Sequence, residues 1–201
     1  MEDGLFRTLS GGILMRKTVL VPIADGIEEI EAVTVIDVLR RSGAEVTVAS
    51  VDGLHVVASR GVKLGADCPI DDCRDKTYDL IALPGGMPGA EHLRDCQLLT
   101  EMLMEQKAAG RLYAAICASP VVVLAKHGLL EGHSKIVCHP AMHDKLPVTK
   151  ASSERVAVDG NCITSMGPGT AVEFALELVR QLFGEDRENQ VAGPMVAAGY
   201  A

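Results

Sequence analysis

One stretch of the chain has the residue types for nucleophilic chemistry: AAICASP at 114–120. Leu112 to Ile116 is a short apolar run of the kind that forms a buried strand. Ser119 and Pro120 fit an N-cap and a first helical position, and Gly128 fits the helix end. Cys117 is thereby left in a two-residue turn between strand and helix, the elbow that holds a nucleophile above a sheet. A helix N-terminus carries partial positive charge, so the spacing predicts a thiol whose anion is favoured. The competing reading is an inert cysteine at the end of a buried strand.

Three further segments supply what thiolate chemistry needs besides sulfur. Glu31 has Ile27 and Val35 at i−4 and i+4, so it projects from an apolar helix face. Burial makes a carboxyl harder to ionise, and a protonated Glu31 can share its proton with Cys117. A plainer role, an acid at a helix N-terminus, suits Glu28 and Glu29 and stays open for Glu31. Pro84-Gly85-Gly86 offers backbone N–H groups on a flexible loop, and His139 offers an imidazole. Nucleophile, acid, proton partner and oxyanion donors are all present if their elements converge. PGGMPG at 84–89 lacks the order of a dinucleotide loop and its acid ~20 residues on. His139 and His143 stand at i, i+4, a possible metal pair with no suitably spaced third ligand. Neither metal nor cofactor is expected.

The elements that must position these residues alternate. Strands are expected at 17–23, 45–50, 79–83, 112–116 and 135–138, with helices at 28–41, 98–108 and 167–183 and a short one within 185–197. Residues 55–59 and 62–64 read as one hairpin, and 155–158 with 162–165 as another around Asp159-Gly160. Such alternation means an α/β sandwich with a mostly parallel sheet, which binds ligands at the carboxyl ends of its strands. There Asp25, the 84–86 loop, Cys117 and His139 all fall on one edge. The helix EEIEAVTVIDVLRRS is apolar nearly all round, which suggests packing against a second copy; burial in one large core is the alternative.

Composition sets the outer bounds. With 3% aromatic residues and no Trp, the core must be Val, Ile, Leu and Ala, as in buried parallel sheets. A net charge of −8 argues against nucleic acid as a partner. No run approaches the ~20 apolar residues of a membrane span. Six cysteines without a CxxC pair fit free thiols in a reducing, cytoplasmic compartment. Residues 1–14 are expected to be a disordered extension, with one domain over 15–201.

IADGIEEIE at 23–31, LPGG at 83–86, AAICASP at 114–120, CHP at 138–140 and TSMGPGT at 164–170 resemble the ThiJ/PfpI superfamily. More closely, they resemble its Parkinson-disease protein (DJ-one) subfamily, from about Lys17 to Val196. The resemblance implies a flavodoxin-like three-layer sandwich, of the class I glutamine amidotransferase-like type, and a homodimer packed through the first helix. It implies Cys117 as the functional residue, Glu31 as its acid and His139 as the site histidine. Gly86, beside Gly85, and Ala118 would lend oxyanion N–H groups, and Arg41 and Arg60 would lie near the site or the dimer seam. Ser119 stands where the family often has Gly, and Met166 where relatives often carry Arg or Gln. The activity implied is a glutathione-independent glyoxalase of the glyoxalase III type, or protein deglycase, acting on small dicarbonyls or glycated groups. The alternative is a redox sensor or chaperone whose cysteine is oxidised to sulfinate.

Overall fold

The computed structural model describes residues 16–146, 152–197 and 199. The extension expected over 1–14 lies outside the described residues. The elements run β1 (Thr18–Ile23), α1 (Glu29–Arg41), β2 (Glu45–Ser50), β3 (His55–Val57), β4 (Lys63–Gly65), β5 (Cys68–Pro69) and β6 (Leu80–Leu83). They continue with α2 (Gly89–Asp95), α3 (Gln97–Ala108), β7 (Leu112–Ile116), β8 (Val156–Asp159), β9 (Cys162–Ser165), α4 (Ala171–Phe183) and α5 (Glu185–Ala192).

Successive side chains of a strand point to opposite faces, and both faces of these strands are apolar. Val19 and Val21 of β1, Leu80 and Ala82 of β6, and Ala114 and Ile116 of β7 enter one core with Val35, Phe174 and Val179 of α1 and α4. Their alternates Leu20, Ile81, Leu83, Tyr113 and Ala115 enter the other, with Leu93, Leu99 and Leu103 of α2 and α3. The result is a three-layer α/β sandwich. Its seven-stranded sheet has the order β5-β2-β1-β6-β7-β9-β8. All pairings in that sheet are parallel except β8 with β9. Without the two edge strands the order is β2-β1-β6-β7-β9, the flavodoxin-like arrangement. β3 and β4 pair as a separate hairpin.

Three expectations need correction. The segment 135–138 is not a strand. Its backbone donors go to side chains: Ser134 and Lys135 N–H to the Asp159 carboxylate, Val137 N–H to Thr164 Oγ1. With those donors used, only Ile136 bridges, its carbonyl accepting from Ser152 N–H. The winding after the elbow is a wide π-type turn over Pro120–Ala125 rather than an α-helix to 128. Its Val121–Val123 run is β-branched and crowds a regular helix. Ser119 is not an N-cap: it already has helical angles (φ −64°, ψ −31°), and its hydroxyl donates to the Pro84 carbonyl at 2.5 Å. Helix α2, hidden behind the PGGMPG turn, has no counterpart in the sequence reading.

Candidate active site

The site is built at the carboxyl ends of β1, β6, β7 and β9. Cys117 directly follows β7 and takes φ +64°, a left-handed conformation uncommon for a residue with a side chain. Two backbone bonds hold it there. Its N–H donates to the Ser165 carbonyl at the end of β9 (3.0 Å), and its carbonyl accepts from His139 N–H (2.8 Å). Ser165 is fixed in turn by a 2.7 Å hydroxyl bond with Thr170. The sulfur stands up from the elbow, partly exposed.

The loop after β6 closes on the sulfur. Gly85 N–H donates to Glu31 Oε2 at 2.7 Å. A Cβ on Gly85 would lie 2.7 Å from Cys117 Cβ and 2.9 Å from Glu31 Oε2, so only glycine lets the backbone come this near. Gly86 takes φ +92°, and a Cβ there would clash with Glu28 N; its backbone N–H lies near enough to Cys117 to favour the thiolate. The Ala118 N–H reaches the same sulfur.

Glu31, in the first turn of α1, has no solvent exposure. Oε2 is held by Gly85, Oε1 has no hydrogen-bond partner, and the carboxyl lies beside the Cys117 side chain. Burial pushes this carboxyl up to about 7, against the lowering effect of the Gly85 bond. Burial, followed by the charge of Glu31, pushes the thiol up to about 12, against the N–H groups of Gly86 and Ala118. This corrects the simple expectation of a thiol depressed by a helix N-terminus. Desolvation outweighs the dipole, and the anion comes from the pair instead. Between its two ionisations the pair holds one proton and one negative charge.

The other candidates are placed as follows. His139 is exposed and caps the short 3-10 turn Pro140–Lys145, its Nδ1 accepting from Ala141 N–H at 3.2 Å. That bond puts the proton of a neutral ring on Nε2. A Cβ on Gly167 would touch both His139 Cδ2 (3.6 Å) and Cys117 Sγ (4.0 Å), so imidazole and sulfur flank one glycine. Arg41 pairs with Asp37 at the far end of α1 (2.6 Å), away from Glu31. Arg60 donates its N–H to Glu29 and its guanidinium to the Ser59 carbonyl. Both arginines are exposed, and neither guanidinium reaches Cys117. Among the described residues no group of three or more His, Cys, Asp or Glu could hold a metal.

Residues 17–181 match the model of the DJ-1/PfpI family. The chain belongs to this family. It is 48% identical to Protein DJ-1 homolog B of Arabidopsis thaliana over 182 residues, which cover 90% of this chain and 41% of that protein. It therefore spans less than half the length of the Arabidopsis relatives it matches. It is 37% identical to Glutathione-independent glyoxalase DJR-1.2 of Caenorhabditis elegans, covering 90% of this chain and 95% of that protein. The solved structure of oxidized DJ-1 from Toxoplasma gondii superposes with a TM-score of 0.88 at 50% identity, covering 90% of this chain and 99% of the other.

Two supports of this DJ-1/PfpI site were not legible in the sequence. Ser119 ties the elbow to the loop through Pro84, and Gly167 backs the sulfur. Nothing in the local pattern says that the Ser119 hydroxyl reaches across to Pro84 or that Gly167 lies against the sulfur. Chemically, the constellation offers a sulfur nucleophile, a carboxyl that exchanges a proton with it, and two N–H groups beside the place where an oxyanion would form.

Proposed function

We propose that this protein is a cysteine-dependent, glutathione-independent glyoxalase with protein deglycase activity, acting on dicarbonyls such as methylglyoxal. The observation that carries the reading is the fully buried Glu31 carboxyl, held by Gly85 N–H, packed with the Cys117 elbow around the same glycine. The name of the nematode relative supports it. Cys117 Sγ attacks the aldehyde carbon, and the carbonyl oxygen, steadied by the Gly86 and Ala118 N–H groups, takes the pair's proton. His139 or Glu31 then removes the proton on that carbon and delivers it to the neighbouring one. The first carbon becomes a thioester and the second an alcohol. Water adds to the thioester, the S–C bond breaks, and the thiol and a hydroxy acid are released. Dicarbonyl plus water thus gives hydroxy acid with no external oxidant. Deglycation is the same chemistry on a dicarbonyl already joined to a protein group.

Purified protein given methylglyoxal without glutathione should release lactate over many turnovers, and Cys117→Ala should release none. Equal lactate from both would overturn the reading.

A second reading is redox sensing. The Glu31 carboxyl, beside Cys117 and with Oε1 unpartnered, is suited to hydrogen-bond a Cys117 sulfinate, and a Toxoplasma relative is known in an oxidized form. Turnover separates the two, because a sensor is consumed or awaits repair.

The working unit we propose is a homodimer through α1. Ile30 and Val33 on this helix are 55% and 47% exposed, and Leu54, Val57 and Val62 are exposed around the hairpin that Glu29 ties to it. A cytoplasmic setting fits the free thiols; no helix of the described residues is long and apolar enough to cross a membrane.

A further inference from the structure

Two thiols away from the elbow lie together. Cys68 begins β5, the edge strand of the sheet, and Cys73 ends the 3-10 turn Ile70–Cys73 that follows. The turn brings the two sulfurs to 3.8 Å, against about 2.0 Å in a disulfide. The two residues are five apart in the chain, so closing that gap is a change within one short segment. β5 is four strands from β7, about 19 Å across the sheet at ordinary strand spacing, so this pair is separate from Cys117.

We propose that Cys68 and Cys73 form a second redox site, which a hydroperoxide closes into a reversible intramolecular disulfide. Burial assigns the roles: Cys68 is partly exposed and meets the oxidant, while Cys73 has no exposure and resolves. The Cys68 thiolate attacks the O–O bond of the peroxide. That bond breaks, the distal oxygen leaves as alcohol or water after taking a proton, and Cys68 becomes a sulfenic acid. Cys73 sulfur then attacks the Cys68 sulfur. The S–O bond breaks, and the departing hydroxide takes the Cys73 proton to become water. Two thiols and one hydroperoxide thus give one disulfide, one alcohol or water, and one further water.

The buried Tyr78 hydroxyl lies between Cys73 and Thr47 without a well-formed hydrogen bond, and burial together with Cys73 keeps it protonated. It keeps a protonated O–H close to the two sulfurs, where a sulfenic oxygen must briefly be held. Burial, Cys73 and Asp72 push the Cys68 thiol up to about 11, with Lys76 pulling the other way. The thiolate is therefore scarce at neutral pH. The pair is a slow redox reserve, and its oxidation quickens about tenfold per pH unit between 7 and 9.

The test is made on the full chain carrying Cys117→Ala, so its result does not depend on the glyoxalase reading. After treatment with hydrogen peroxide, intact mass and peptide mapping should show loss of two hydrogens and a Cys68–Cys73 link that dithiothreitol removes. Adding Cys73→Ser should abolish the link and leave a sulfenic acid at Cys68 that dimedone captures. Cys68→Ser alone should leave dicarbonyl turnover unchanged. Sulfinate at either residue without a link, a link between chains, or two unmodified thiols after peroxide would each overturn the proposal.

Discussion

At the scale of the residue, the site turns on where one negative charge rests. Gly86 and Ala118 both direct N–H groups at the sulfur, whereas Glu31 receives only that of Gly85. Those two donors lower the cost of resting the charge on sulfur, while burial and the Glu31 charge raise it, so one proton can move between the two groups. In Glu31→Gln the carboxylate charge that pushes the thiol up is gone, so the midpoint of Cys117 alkylation should fall. An unchanged midpoint in a pH titration of alkylation would contradict this. Stability carries a second signature. The folded carboxyl sits at about 7 against 4.5 for the free group. Its stabilising protonated state is fully present below about 4.5 and is lost as the pH rises through about 7. Wild type should therefore lose up to roughly 3 kcal/mol relative to Glu31→Gln across that window, read from urea melts at its two ends. Ser119→Ala strands the buried Pro84 carbonyl. It should cost about 1–3 kcal/mol in the same melts and slow turnover by loosening the loop that carries Gly86.

At the scale of the element, the loop after β6 is the part least able to change. In Gly85→Ala the new methyl meets Cys117 Cβ, Glu31 Oε2 and the Ile116 carbonyl, all within 2.9 Å. The strand end and the first turn of α1 cannot both yield. The variant should lose about 1–3 kcal/mol or more in a thermal melt, and lactate production with it. Strands and helices with clear periodicity were legible from residue order alone: β1, α1, β2, α3, β7 and α4 stand within a few residues of their expected bounds. The failures have local causes. Residues 135–138 are apolar enough for a strand, but Asp159 and Thr164 take the N–H groups a ladder would need. Helix α2 begins at Gly89 behind two prolines and two glycines, a composition that reads as loop.

At the scale of the whole molecule, the sheet order decides that the pieces meet. β6 lies between β1 and β7, so the Gly85-Gly86 loop falls between Glu31 on one side and Cys117 on the other. The outer face of α1 remains apolar at Ile30 and Val33. Replacing both with Asp should convert a dimer to a monomer by light scattering. Both side chains are already about half in water, so the stability of each copy should change by only about 0.5 kcal/mol. A dimer that persists in this variant would move the interface elsewhere.

Residue order by itself determined the alternation of strand and helix, the elbow at Cys117 and the apolar setting of Glu31, because periodicity and turn chemistry act over a few neighbours. It also singled out His139 and the glycines at 85 and 86 as residues able to act. The tertiary structure alone decided three other matters. It set which way the thiol shifts, because burial and a carboxyl 86 positions away outweigh a local dipole. It gave Ser119 to Pro84 rather than to a helix start, because the nearest buried acceptor lies on another strand's loop. It placed Gly167 beside the sulfur, because β9 is the neighbour of β7 only once the sheet has formed. Each is a contact between segments distant in the chain, and packing fixes such contacts where local sequence cannot.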